Sequence, residues 1–227
     1  MADGKRKFFA LTYDAKGFIF SLVILAVVLS GGWIGYSQIF TKGLERLPDK
    51  VCDGAVSKEF AIDLLPPARS AKDDSEGGRG RRGDGDFVFS CGVYTSNDSI
   101  LSGYVRMGHA SVEEWAGHYD ADSSRKSVQV SSDGLSALAR LDDDGGTSSV
   151  YVPCFFGKAE SYEKASLHVL VADASVIGES RLTGAELRQA VTDFAYQLAK
   201  RAYAQGECDQ GVDFPARLPR YREAKQD

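Results

Sequence analysis

Cysteine is absent from the first 51 residues, and the four that follow, Cys52, Cys91, Cys154 and Cys208, include no C-x-x-C pair. Histidine is scarce as well: His109, His118 and His168 are the only three, far from the cysteines in sequence. Without a Cys/His cluster a zinc site is excluded at the level of spacing. The nucleophile-elbow pattern G-x-S-x-G is missing, which removes the commonest serine-hydrolase signature. An excess of positive charge is missing too. The net charge is −5, which argues against binding nucleic acid or an anionic membrane surface through net electrostatics.

The most informative absence is of charge between residues 18 and 40, FIFSLVILAVVLSGGWIGYSQIF. Twenty-three uncharged residues as a helix measure about 35 Å, enough to cross a hydrocarbon core. Trp33 and Tyr36 fall toward one end, where amphipathic rings favour the interface. No A-x-A site follows, and Cys52 lies too far on to be a lipidation cysteine. The sequence therefore predicts an uncleaved signal anchor and not a signal peptide. Lys5, Arg6, Lys7 and Lys16 precede the segment; Lys42, Arg46 and Lys50 follow it. That four-to-three bias is a weak positive-inside signal. The cysteines argue more strongly. An even set, all beyond the membrane segment, implies two disulfides in an oxidising compartment. Residues 1–17 are expected as a cytoplasmic tail, with the rest outside the cell membrane. Gly31 and Gly35 form a G-x-x-x-G pair that suits close helix packing, hence a homodimer or a membrane protein partner.

Residues 77–86, GGRGRRGDGD, overlap three functional patterns: G-x-G-x-x-G at Gly78, Gly80 and Gly83, the tripeptide Arg82-Gly83-Asp84, and a cluster of Arg79, Arg81 and Arg82. A dinucleotide fingerprint needs a buried strand before it and a helix after it. Pro66-Pro67 and a charged run precede this stretch, and the strand-like Phe87-Val88-Phe89-Ser90-Cys91 follows. Nearby Asp73, Asp74, Glu76, Asp84 and Asp86 nearly cancel the arginines. Residues 69–86 therefore read as a flexible loop.

After a stalk at 41–50, alternating apolar residues predict strands at Phe87-Phe89-Cys91-Val93, at 99–108, 127–131, 135–141 and 148–156, and at Leu167-Val169-Val171. Asp53 is placed to cap a helix carrying Val56, Phe60 and Leu64. Ser111/Glu114 and Thr183/Glu186 are capping boxes for two more. The second opens an amphipathic helix through Leu187, Val191, Phe194, Leu198 and Ala202, which Gly206 ends. The expected domain, residues 51–208, is α+β: a mostly antiparallel sheet with helices on one face, stapled by two disulfides. Four cysteines allow three pairings; Cys52–Cys91 and Cys154–Cys208 each tie a helix end to the sheet. Residues 209–227 read as a polar tail that trails free.

The order of a membrane segment, "CDGAVS", "FVFSCGVY", "VYVPCFF" and a helix closing on "GEC" resembles that of uncharacterised actinobacterial membrane-anchored or lipoprotein-like extracytoplasmic domains. Some of those have a PsbP-like sheet-and-helix fold. The resemblance covers about residues 50–208 and implies no catalytic residues.

Other candidates weigh less. Nothing in the spacing brings a nucleophile and an acid to any histidine. Asp142-Asp143-Asp144-Gly145 has consecutive acids, where a calcium loop alternates them, and reads as a turn. Glu113 and Glu114, at a helix start, complement the macrodipole. Asn97-Asp98-Ser99 is a glycosylation acceptor by pattern alone. The expectation is a non-enzymatic binding or interaction protein of the cell envelope, without cofactor or metal and with no nucleic-acid partner. The alternatives are a carrier of an apolar ligand, or an envelope enzyme whose site the sequence hides.

Overall fold

A computed structural model describes residues 15–79, 87–120, 127–141, 146–155, 167–206, 208 and 212–221. The chain divides into two units, Met1–Ile39 and Phe40–Asp227. The first contains helix α1, Ala15–Phe40. Its side chains between Phe18 and Trp33 are exposed, Leu22, Val27 and Trp33 among them. Ser21 and Ser30 turn their hydroxyls back onto the carbonyls of Gly17 and Ala26, so neither presents a free donor. The unbroken run of described side chains, residues 17–33, measures about 25 Å. Among the described residues no helix is long and apolar enough to cross a membrane.

The second unit is α+β. Strands β1 (Lys50–Val51) and β2 (Val56–Ser57) form a small ribbon, followed by α2 (Lys58–Leu64). Seven strands build one antiparallel sheet: β3 (Ala71–Arg79), β4 (Phe87–Thr95), β5 (Ile100–Gly108), β6 (Ser127–Ser132), β7 (Leu135–Arg140), β8 (Thr147–Phe155) and β9 (Leu167–Ile177). Their spatial order is β3-β4-β5-β9-β8-β7-β6. Helix α3 (Val112–Asp120) lies between β5 and β6 in sequence, and α4 (Gly184–Gln205) follows β9.

The period-2 pattern sorts the strands. Leu101, Val105 and Met107 of β5, Leu170 and Ala172 of β9, and Val150, Val152 and Cys154 of β8 join Leu187, Val191, Phe194 and Leu198 of α4 in one core. The contact is close at Gly103, where a Cβ would come within 2.0 Å of Leu198 Cδ1; a residue without a side chain is required there. Cys52 bonds to Cys91 and Cys154 to Cys208, each with a Cα–Cα distance of 5.2 Å. These are the two pairings expected from the sequence.

Four expectations need correction. Helices lie on both faces of the sheet, not on one. Trp115 and Tyr119 of α3 form a second cluster with Leu138, Tyr151, Val169 and Val171, side chains that point away from α4. Residues 71–79 are not loop but an edge strand paired with β4 along its whole length, from Ala71↔Thr95 to Arg79↔Phe87. Polar residues at an edge still satisfy their backbone on one side. Residues 80–86, with most of the arginine cluster and the adhesion-type tripeptide, lie outside the described residues. The stalk belongs to the domain: Leu44 and Leu47 are buried, and Gly43 N–H donates to Ala68 O at 2.7 Å. The tail does not trail free, because Phe214 packs on Tyr196 and Tyr203 and Leu218 is buried.

Smaller differences are local. Asp53 does not cap α2, which starts after Ser57; its carboxylate accepts from Arg201 and Gln205 of α4 at 2.8 and 2.6 Å. The guanidinium of Arg201 holds that carboxyl below its usual range. Thr183 precedes α4 in extended conformation without a side-chain cap bond.

Candidate functional site

The two faces differ in chemistry. The α4 face is mainly apolar, with one buried polar contact between Ser148 and Thr192, whereas the α3 face carries Arg106, Asp173 and Ser149 beside its valines. Helix α3 is fixed at its start by the expected capping box. Ser111 N–H donates to Glu114 Oε2 at 2.8 Å, and Glu114 N–H donates to Ser111 Oγ at 3.1 Å. That sets Trp115 and Tyr119, one turn apart, onto the sheet.

Their polar ends meet a chain of partners. Trp115 Nε1–H donates to Ser149 Oγ at 3.0 Å, Ser149 donates to Asp173 Oδ1 at 2.7 Å, and the Tyr119 hydroxyl donates to the same oxygen. Buried hydroxyl and indole groups need such partners. Burial first, and then the neighbouring Asp173 charge, hold the Tyr119 phenol well above its ordinary pKa. It stays a proton donor throughout the physiological range. Tyr151, raised by burial, donates to Ala110 O at 2.9 Å and ties down the loop entering α3.

Beside this anchor lies a cleft of about 250 Å³. Trp115, Val169 and Val171 supply its apolar lining, and Arg106, His109 and His118 reach it from β5, the loop after β5, and α3. Antiparallel pairing of Gly108 with Val169 brings the next residues, His109 and His168, together, with ring centroids 4.1 Å apart. His118 stands edge-on to Tyr119, with centroids 5.7 Å apart. The structure thus pairs His109 with His168 and brings His109 and His118 to one cleft, although their sequence spacing showed no convergence.

Among the described residues no hydrogen bond or ion pair holds the Arg106 guanidinium. Among the described lining residues Glu114 is the one carboxylate, and one of its oxygens is engaged by the capping box. No serine, threonine, cysteine or lysine is among the described lining residues. These residues can bind and exchange protons.

Two larger clefts lie elsewhere. One, about 620 Å³, adjoins the start of α4 near Thr183, Gly184 and Arg188. The other, about 520 Å³, runs between α2 and α4 past Asp63, Glu186, Asp193 and Arg220. Both are open to solvent and neither gathers an unusual set of groups.

The remaining sequence candidates are placed as follows. Cys52, Asp73 and Cys91 set three ligand-type atoms within 4.8 Å of one another. The sulfurs are bonded to each other, so no thiolate is available to a metal. Asp73 instead accepts the Cys52 N–H at 3.0 Å. The acidic turn at residues 142–145 lies outside the described residues. A Cβ at Gly31 or Gly35 would meet nothing within 4 Å. Ser99 of the Asn97-x-Ser99 pattern is buried, with its Oγ accepting from Glu179 N–H.

No protein-family model, curated protein or solved structure matches this chain.

Proposed function

We propose that this protein is a single-pass membrane protein of the cell envelope, with its N-terminus cytoplasmic and a non-enzymatic binding domain outside, and that the α3 cleft is the domain's binding site. The reading keeps the resemblance to actinobacterial envelope domains. Helix α1 has 26 residues, about 39 Å at the helical rise. Its 23 residues from Phe18 to Phe40 are uncharged, so the intact segment has the length and polarity of a membrane span. All four cysteines are oxidised and follow that helix, which favours an oxidising compartment. Anchoring holds the domain near membrane partners at high effective concentration.

The observation that carries the binding reading is the cleft itself. Arg106, His109 and His118 border an apolar floor, with no nucleophile among the described lining residues. An enzyme would use these histidines as general acids or bases, and would need a nucleophile brought by its substrate or by water. A carrier of apolar ligands under α4 gains no support from packing in which Leu198 and Phe194 already fill the space over Gly103.

Native mass spectrometry of the full-length protein, gently extracted from its own membranes, is the test. Binding predicts a co-purifying mass, lost when Trp115 is replaced by alanine. A bare protein, together with added protease cleaving nothing beyond residue 40 in sealed right-side-out vesicles, would refute both halves of the proposal.

A further inference from the structure

We infer that the α3 cleft is selective for a small carboxylate carried on an apolar body, with Arg106 as the residue that reads the charge. This rests on the cleft being the binding site. Size comes first. A volume of about 250 Å³ holds about eight waters at their liquid share, which suits a single ring or a short branched chain bearing one polar group. The floor comes second. Val169 and Val171 have no polar side-chain atoms, and the Trp115 N–H is already donated to Ser149. The floor therefore offers apolar surface without donors, and a ligand that fills it must be apolar at that end.

Charge at the mouth decides the other end. Arg106 is permanently cationic and no hydrogen bond or ion pair holds its guanidinium among the described residues. The imidazole of His118 borders the same cleft. Against them stands Glu114, which is turned toward the Ser111 N–H. Asp173 is not among the described lining residues, and its Oδ1 accepts from the Ser149 and Tyr119 hydroxyls. A guanidinium fork that no acid engages among the described residues accepts a carboxylate in bidentate fashion. A bound amine would instead meet Arg106 with like charge. A metal ion finds no preformed set here: among the described residues, three ligand atoms converge only at Cys52, Asp73 and Cys91.

The chain supplies its own reporter, because Trp33 and Trp115 are its only tryptophans. In the full-length Trp33→Phe protein, held in lipid nanodiscs, emission reports Trp115 alone. The probes are 3-phenylpropionate, its neutral amide, phenethylamine and phenyl phosphate. The expected result is a saturable change with 3-phenylpropionate, and binding of the amide roughly ten- to a hundredfold weaker, the range for a charge-assisted hydrogen bond. In Arg106→Gln the preference for the carboxylate over the amide should disappear, with near-ultraviolet circular dichroism unchanged to show that the fold is kept. Equal binding of acid and amide, or tighter binding of phenethylamine or phenyl phosphate, would overturn the selectivity and leave the cleft as the binding site. No response of Trp115 to any probe would overturn both.

Discussion

Replacing Gly103 with alanine tests the packing of α4 on the sheet more directly than any other change. A Cβ there would lie 2.0 Å from Leu198 Cδ1 and 3.0 Å from Phe194 Cε1. Both side chains are fully buried, so neither can swing into solvent to make room. In an open strand position, alanine would instead gain about 0.5–1 kcal/mol from the lost freedom of glycine in the unfolded chain. Forcing one carbon into a filled core costs about 1–3 kcal/mol. Overpacking wins, and the net loss is about 1–2 kcal/mol. For a domain of this size that lowers Tm by about 2–8 °C. Gly108, in the same strand, is the matched control, because a Cβ there meets nothing within 4 Å. Gly108→Ala should leave Tm unchanged or raise it slightly. The assay is thermal unfolding followed by near-ultraviolet circular dichroism, with the disulfides intact. Leu198→Ala in the Gly103→Ala background should cost less than the two changes summed. Equal melting of the Gly103 and Gly108 variants would refute the assignment of Gly103 to the α4 contact.

Three further outcomes follow from the same structure. Replacing Cys154 and Cys208 together by serine opens a loop of 54 residues and should cost about 4 kcal/mol by loop entropy, read as a lowered denaturation midpoint; an unchanged midpoint would count against a structural bond. Tyr221→Phe removes the hydroxyl that bonds Thr192 at 3.1 Å and should speed tryptic cleavage after Arg217 and Arg220 without lowering the global Tm by more than about 1 °C. Asp193 has its pKa raised by burial above 3.8, so the folded state favours the neutral acid, and stability is lost as pH rises from 3.8 through the folded value. Asp193→Asn should therefore stabilise the domain at pH 7 and have little effect at pH 3, as thermal melts at the two values would reveal; a destabilised variant at pH 7 would show instead that Arg217 and Arg220 depend on its charge.

What the sequence discloses is the part of the fold built on apolar repetition. The strands through Phe87, Val105, Val150 and Val171 alternate cleanly, and α4 repeats at helical spacing, so one sheet face and its covering helix could be read directly. Both disulfides follow from the same reading, since each cysteine sits on an element that must meet that face. Strand β3 was hidden because it is an edge: Lys72, Asp74 and Glu76 face solvent, and no apolar row marks its register. The tail was hidden because isolated Phe214, Leu218 and Tyr221 dock among prolines and arginines without any period. The site was hidden for a topological reason. His109 and His168 are 59 positions apart in the sequence, and they meet only because β5 pairs with β9, a pairing that no local spacing encodes.

The same sheet serves two ends through its two faces. Facing α4, aliphatic and aromatic side chains pack closely over Gly103 around one buried polar contact, Ser148 with Thr192, and both disulfides tie that side down, Cys91 and Cys154 being buried with the α4 core. Facing α3, nine helical residues rest on four sheet side chains, Leu138, Tyr151, Val169 and Val171, and one chain of hydrogen bonds ending at Asp173. Fewer apolar side chains are buried there than under α4, so local opening of α3 costs less than that of α4. A ligand cleft placed beside the thin contact can adjust without disturbing the core. The polar chain under α3 then has a definite physical role. Its donors fix the height of Trp115 above Val169 and Val171, and with it the depth of the cleft floor. Hydrogen-bond geometry sets the seating of the helix on this face, and close packing sets it on the other.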